Sequence, residues 1–230
     1  EERYPEFNGL NLTWETLEGI VKHNGPLIGP HTSLKHSQDA LPRVISQYSD
    51  VYDLELHTVA SAEAQVAALS DDIAYNNHDI DDGLRAGLFS LNDLKDVPLV
   101  GPIYHDVKKQ YPDLGTSRQI HETVRRLIGA MVMDVFEETN RRLSDAKPES
   151  AADIRNFSDS VVEFSEEMRK NDAAMKKFLF ENMYRHYKLN RMTSKARRVV
   201  KDLFNLLVEE PECLPTEWQK KAGNPGSSET

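Results

Sequence analysis

The strongest constraint on the fold of this chain is a long proline-free stretch, residues 60–88, with helical periodicity. On a helix that turns by about 100° per residue, its apolar and polar side chains fall on roughly opposite faces. The apolar face comprises Val66, Leu69, Ile73, Ile80 and Leu84. The polar face comprises Asp71, Tyr75, His78, Asp79 and Asp82. Strand signals are nearly absent from the chain, so the sequence predicts an all-α protein.

Further helices are predicted on both sides of this stretch, separated by segments rich in Gly, Pro and polar residues. Their expected positions are near residues 13–23, 41–52, 116–143, 151–170, 172–187 and 191–209. Thr13 is expected to cap the first of them. Residues 25–38 are interpreted as a surface loop, and the Pro-containing stretch after residue 88 as a connector. The clearest break is at 144–148, but no long linker accompanies it, which favours a single α-helical unit over two halves.

The composition disfavours several classes of function. The net charge is −10, which argues against a nucleic-acid coat or an anionic-membrane binder as the main role. Cys213 is the one cysteine, so an intrachain disulfide and a zinc site of several cysteines are excluded, and a reducing, cytoplasmic location is expected. No apolar run approaches the ~20 residues of a membrane span, and no membrane partner is expected. Because the chain begins without Met, we expect it to be either a processed product or a piece of something longer.

Two interpretations of the polar face of residues 60–88 stay open at this point. A polar stripe opposite an apolar one is typical of any hydrated amphipathic helix. Alternatively, carboxylates, an imidazole and a phenol on one side of a helix form a site for a divalent metal and a polyanionic substrate. The stripe contains no Lys to pair with its carboxylates, and like charges three or four residues apart repel. A buried acidic stripe therefore needs a cation.

Specific blocks of sequence identify a family resemblance that covers nearly the whole chain. The longest is DDIAYNNHDIDDG at residues 71–83. Shorter blocks are FNGLNLT at 7–13, VKHNGP at 21–26 and AEAQ at 62–65, with further similarity at 125–134, 180–185 and 203–218. On these residues the chain resembles the deoxyguanosinetriphosphate triphosphohydrolase-like family, within the HD-domain superfamily of metal-dependent phosphohydrolases.

The resemblance implies an all-α HD-type helical bundle that hydrolyses a dNTP to the deoxynucleoside and tripolyphosphate. In the family, a divalent metal such as Mg²⁺ or Mn²⁺ is held by a His, a His-Asp pair and a later Asp. The family spacing Asp-x-x-x-Tyr-x-x-x-Asp assigns that later Asp to Asp71. It assigns Tyr75 and Asp79 to positions that face the triphosphate and sugar of the substrate. Asp72 is the less expected ligand, because it points about 100° away from Asp71.

The sequence departs from the family pattern at one place. The His and the His-Asp pair precede the FNGLNLT block in the family, and that segment is absent here. The pair His105-Asp106 has no family counterpart and is interpreted as a surface pair. We therefore expect the C-terminal portion of a longer enzyme, inactive alone, whose metal is incomplete or absent. Its expected parts are residues 1–143 from the HD-type core, 150–220 as additional helices packed on it, and 221–230 as a disordered tail.

Four further residues are weaker candidates, each with an ordinary structural alternative. Lys22 and His23 end the first helix and are candidates to reach phosphate oxygens, or else they complement the helix dipole. Glu63 is a candidate to orient a metal-ligating His, or it is simply an acidic residue of a first helical turn. Arg125 is a candidate to face the nucleotide pocket, or it is a solvated cation.

The one basic patch, residues 184–198, interleaves aromatic and cationic side chains, a combination used to bind phosphate or single-stranded nucleic acid. A solvated face or a subunit contact is the simpler interpretation, and the resemblance implies a homo-oligomer. Two other functions stay open for the chain. One is a non-catalytic helical module for regulation or assembly, and the other is an HD-type phosphodiesterase with a different pocket.

Overall fold

The structure, a computed structural model, describes residues 4–7, 9–29 and 41–226. All regular secondary structure within these ranges is helical, which confirms the all-α prediction. The α-helices are α1 (Trp14–Lys22), α2 (Arg43–Ser49), α3 (Ala62–Arg85), α4 (Val100–Gln110), α5 (Thr116–Ala146), α6 (Ala151–Arg155), α7 (Glu166–Leu179), α8 (Tyr187–Glu209) and α9 (Thr216–Gln219). A π-helical turn (Phe180–Tyr184) and a 3₁₀ turn (Pro211–Cys213) complete the set. Across the described ranges, none of these helices combines the length and apolarity needed to cross a membrane.

Two hydroxyl side chains define where the helices of the candidate site begin. The Oγ1 atom of Thr13 accepts a hydrogen bond from the backbone N–H of Thr16 at 3.3 Å, which confirms the predicted cap of α1. The Oγ atom of Ser61 accepts from the backbone N–H of Ala64 at 3.4 Å, so α3 starts one residue later. These caps satisfy backbone donors that have no partner inside the helix.

The apolar face predicted for α3 is confirmed in its C-terminal half, where Ile73, Ile80 and Leu84 are buried. The prediction for Val66 is wrong, because its side chain is 47% exposed. Gln65 is buried instead, and its Oε1 atom accepts hydrogen bonds from the backbone N–H groups of Val161 and Val162 at 2.9 and 3.1 Å. A segment 96 residues away thus decides which side of this end of α3 is covered, and local periodicity does not contain that information.

Three predicted segments need correction. The connector after residue 88 contains the helix α4, because Pro102 lies in its first turn, where a missing N–H removes no intrahelical bond. The helix predicted over 151–170 ends at Arg155 and resumes at Glu166. The loop predicted over 25–38 is not at the surface throughout, since Leu27 is buried with Leu54 and Leu56. Residues 30–38 of that loop lie outside the described residues.

The chain divides into two compact units, Glu1–Lys176 and Lys177–Thr230, rather than one. This division also differs from the predicted boundary near 144–149, which is a turn inside the first unit. Residues beyond that turn are held to the first unit by polar contacts: the Asp134 carboxylate accepts from the backbone N–H of Ser165 at 2.9 Å. Arg142 Nη1 donates to the Ser160 carbonyl at 3.0 Å.

The second unit contains α8, the 3₁₀ turn and α9. Its chain returns to α8 where the backbone N–H of Gly226 donates to the Val208 carbonyl at 2.9 Å. The tail predicted to be disordered begins at 221, so residues 221–226 are placed, while residues 227–230 lie outside the described residues.

Candidate functional site

Three of the predicted site residues line one cavity of the first unit. This cavity, of about 790 Å³, lies between α1 and α3 and is bordered by residues of α6. Its lining includes His23 from the end of α1, and Glu63 and Asp71 from α3. The remaining lining residues are Glu15, Thr16, Gly19, Ile20, Ser61, Ala64, Ala67, Ala68, Ala151 and Arg155. Small side chains predominate on the α3 side, because three Ala residues face the space there.

A second cavity of about 390 Å³ shares His23, Ala68 and Asp71 with the first. Its other lining side chains are mostly polar: Asn24, Gln65, Leu69, Asp72, Ser160, Val162 and Glu163. We call the two cavities together the α1–α3 cleft. Asp71 and His23 lie where its two parts meet, so both parts present a carboxylate and an imidazole to a ligand.

The hydrogen bonds of His23 define its tautomer. Its Nδ1 atom lies 2.8 Å from the Ile20 carbonyl oxygen, which only accepts, so Nδ1 carries the hydrogen. Its Nε2 atom lies 2.9 Å from the side-chain amide nitrogen of Asn24, which only donates. With this assignment the lone pair of Nε2 accepts from Asn24.

The two neighbouring carboxylates of α3 differ in their surroundings. The Asp72 carboxylate lies 3.4 Å from the Nζ atom of Lys176. The Asp71 carboxylate is exposed and makes no hydrogen bond or ion pair with the part of the chain that the structure describes. Within the described residues its oxygens thus have no donor, and the acidic stripe is mostly exposed, with only Asp79 half-buried.

Lys22 is fully buried, which corrects the expectation that it reaches a phosphate oxygen. Its Nζ atom lies 3.0 Å from a carboxylate oxygen of Glu18 and donates to Thr58 Oγ1 at 2.7 Å and to the Glu55 carbonyl at 3.1 Å. Burial lowers the pKa of Lys22, and its hydrogen bond and attraction to Glu18 oppose that effect. The ammonium group is thus occupied inside the first unit.

The remaining predicted residues lie outside both parts of the cleft. Tyr75 and Asp79 follow Asp71 by one and two turns on α3, where Tyr75 is 62% exposed and Asp79 is half-buried. Arg125 is on α5, with its Nη2 atom 2.8 Å from a carboxylate oxygen of Glu122. That ion pair raises the pKa of Arg125 further above its ordinary value. The cleft thus unites Asp71, His23 and Glu63, while Lys22, Tyr75, Asp79 and Arg125 lie outside it.

No pattern in the sequence predicted that Arg155 lines the cleft. Its Nε atom donates to Glu18 at 3.1 Å, and its guanidinium lies 4.8 Å from the centre of the Trp14 ring. The remaining candidates from the sequence lie outside the cleft. His105 and Asp106 are exposed on α4, and the basic segment 184–198 belongs to the second unit.

The donors within reach are too few for a complete metal centre. In residues 4–7, 9–29 and 41–226, no group of three or more His, Cys, Asp or Glu is placed to hold an ion. Asp71 offers a free carboxylate, and His23 offers a lone pair that Asn24 already uses. Structural and catalytic sites for borderline metals take at least three protein ligands. The described residues alone therefore do not fit a tightly held metal.

Comparison with known proteins agrees with the resemblance seen in the sequence. The family model of the phosphohydrolase-associated domain matches residues 162–230. A deoxyguanosinetriphosphate triphosphohydrolase-like protein of Parvibaculum lavamentivorans is 57% identical over 230 residues, which is 100% of this chain and 57% of the relative. The protein of the same name in Caulobacter vibrioides is 52% identical over 224 residues, which is 97% of this chain and 55% of the relative. The chain thus spans little more than half the length of these relatives, and it belongs to the deoxyguanosinetriphosphate triphosphohydrolase-like family.

Proposed function

We propose that this chain is part of a metal-dependent hydrolase that cleaves a dNTP into the deoxynucleoside and tripolyphosphate. The proposal rests on the observation that Asp71 and His23 both line the two cavities of the α1–α3 cleft. The Asp71 carboxylate has no partner within the described residues, although it lies beside a cavity large enough for a nucleotide. The names of the relatives support the same class of activity.

Asp71 is proposed as one metal ligand, with the other ligands supplied by the part of the longer protein that this chain does not span. A divalent ion such as Mg²⁺ or Mn²⁺ would supply charge stabilisation at the phosphoryl group when bound. Because the described donors are too few to hold it, we propose that this chain alone is inactive. Glu63, which lines the same cavity, is proposed to orient an incoming ligand of the metal.

His23 and the exposed face of α3 are proposed to contact the substrate. When His23 carries a proton on Nε2, this nitrogen no longer accepts from Asn24. It is then a charged donor that can bind a phosphate oxygen. Tyr75 and Asp79 continue the α3 face beyond Asp71 and are proposed to contact the sugar and the phosphates. Arg125 is omitted from this proposal, because its charge is already paired with Glu122. A cytoplasmic location and a homo-oligomer stay predictions.

The test compares this chain with the full product of the gene that encodes it. Each is incubated with mixed dNTPs and Mn²⁺ or Mg²⁺, and tripolyphosphate release is followed, together with Mn²⁺ binding by electron paramagnetic resonance. Asp71→Asn is expected to abolish release and weaken Mn²⁺ binding in the full product. Asp81→Asn is the matched control, because Asp81 is on the same helix but pairs with Arg85.

Two results would contradict the proposal. One is full activity of the Asp71→Asn variant, and the other is hydrolysis by this chain alone, which would require a metal site elsewhere. A second candidate function, a non-catalytic helical module for regulation or assembly, is favoured by the small number of metal donors in the described residues. A full gene product that binds neither Mn²⁺ nor dNTP would support that candidate instead.

A further inference from the structure

Helix α5 carries apolar side chains on two opposite sides. Its inner side buries Ile120, Leu127 and Met131 in the first unit. The Met131 sulfur lies 3.3 Å from the side-chain amide nitrogen of Asn77, so this side faces α3. On the outer side, by contrast, Val132, Met133 and Phe136 are 49%, 53% and 61% exposed. Helices that are apolar on more than one side occur in the interior of larger proteins.

The outer side chains form a continuous surface, which we call the outer α5 patch: Gly129, Val132, Met133 and Phe136. They are spaced three, four and seven residues apart and therefore share one stripe of the helix. A Cβ atom placed on Gly129 would meet no atom within 4 Å among the described residues, so the space above the helix is open there. Contiguous exposed apolar surface of this kind marks a contact site.

We propose that the outer α5 patch is the docking site for the part of the longer protein that this chain does not span. The relative from Parvibaculum lavamentivorans matches the whole of this chain with only 57% of its own length, so a large segment is available to cover the patch. A tethered segment acts at a high effective concentration, which favours it over a second copy of the chain. The bare helix surface at Gly129 would let a backbone approach α5 closely.

This proposal shares with the proposed function the premise of a longer protein, but it does not depend on the activity. The patch is on the side of α5 opposite α3, whereas Asp71 is on α3 in the α1–α3 cleft. A failure of dNTP hydrolysis would therefore leave the docking proposal intact, and the two are measured separately.

The test uses methionine oxidation, because the chain places a buried and an exposed Met two residues apart. Hydrogen peroxide converts an exposed Met to its sulfoxide, which mass spectrometry reads at each position. In this chain, Met133 is expected to react faster than the fully buried Met131. In the full gene product, the reaction of Met133 is expected to slow to the rate of Met131. Met192, exposed on α8, is the control for general reactivity.

The outcomes separate the possible occupants. Slow oxidation of Met133 in the full product at every protein concentration supports the proposal. Protection that is lost on dilution would overturn it in favour of a contact between copies. Equal oxidation of Met133 in both proteins would also overturn it. A second measurement is the melting temperature of Val132→Ser, expected to fall in the full product only, with Val51→Ser, a still more exposed valine of the same unit, unchanged in both.

Discussion

Glu18 and Arg155 form an ion pair across 137 positions of sequence, with the Nε atom of Arg155 3.1 Å from Glu18 Oε1. The same carboxylate oxygen lies 3.0 Å from the Nζ atom of Lys22. The buried Glu18 carboxylate therefore pairs with two cations, Lys22 of its own helix and Arg155 of α6. The pair joins α1 to α6 at the border of the α1–α3 cleft, because Arg155 and residues of α1 line the same cavity.

Removal of Glu18 is expected to destabilise the chain severely. Glu18→Ala would leave Lys22 buried without its anion, and breaking a buried pair in this way costs about 3–5 kcal/mol. The free energy of unfolding, measured by urea denaturation, is expected to fall by that amount. Glu15→Ala, an exposed change on the same helix, is the control and is expected to cost about 0.5 kcal/mol. Similar losses for the two variants would show that the buried network contributes little.

Two glycines of helix interiors are expected to respond to alanine with opposite sign. A Cβ atom at Gly83 would collide with the Phe89 ring, so Gly83→Ala is expected to cost about 1–3 kcal/mol through overpacking. A Cβ atom at Gly129 would meet nothing within 4 Å among the described residues. Gly129→Ala is therefore expected to stabilise this chain by about 0.5–1 kcal/mol, because Gly disfavours the helix. Urea denaturation of both variants measures the change in the free energy of unfolding and tests its sign.

The acid stability of the first unit is expected to depend on Glu138. Hydrogen bonds from Arg141, and then from Arg142, lower the pKa of Glu138 from 4.5 to about 2. The folded state holds this carboxylate ionised. Its contribution to the free energy of unfolding is therefore fully present above pH 4.5 and is lost as the pH falls from there toward about 2. As the pH is lowered between these values, the melting temperature of Glu138→Gln is expected to fall less than that of the parent chain. Glu137→Gln, one position away and exposed, should behave like the parent.

Substitution of His23 is expected to weaken substrate binding in the full gene product. If Nε2 contacts a phosphate oxygen, His23→Gln removes a charged hydrogen bond, which is worth about 1.5–3 kcal/mol, or roughly a tenfold or greater rise in KM. His105→Gln is the control, since His105 is exposed on α4 and outside the cleft. Steady-state kinetics of dNTP hydrolysis measures both. An unchanged KM for His23→Gln would remove this residue from the proposed substrate contacts.

The sequence by itself determined the helical class and much of α3. Its periodicity predicted the burial of Ile73, Ile80 and Leu84, because side chains on one face of a helix recur at local spacing. It also carried the blocks that identify the family, above all residues 71–83. Thr13 was recognisable as a cap because its hydrogen bond is made three residues away.

Only the tertiary structure decided which polar groups are available to a ligand. Lys22 looked like an exposed cation at a helix end, but Glu18, Thr58 and the Glu55 carbonyl enclose it. Arg155 carried no local signal at all, because its partner Glu18 comes from the other end of the first unit. The periodicity of a helix follows from its own backbone. The burial of a charge depends on which distant segment packs against it, and that is settled only when the helices assemble.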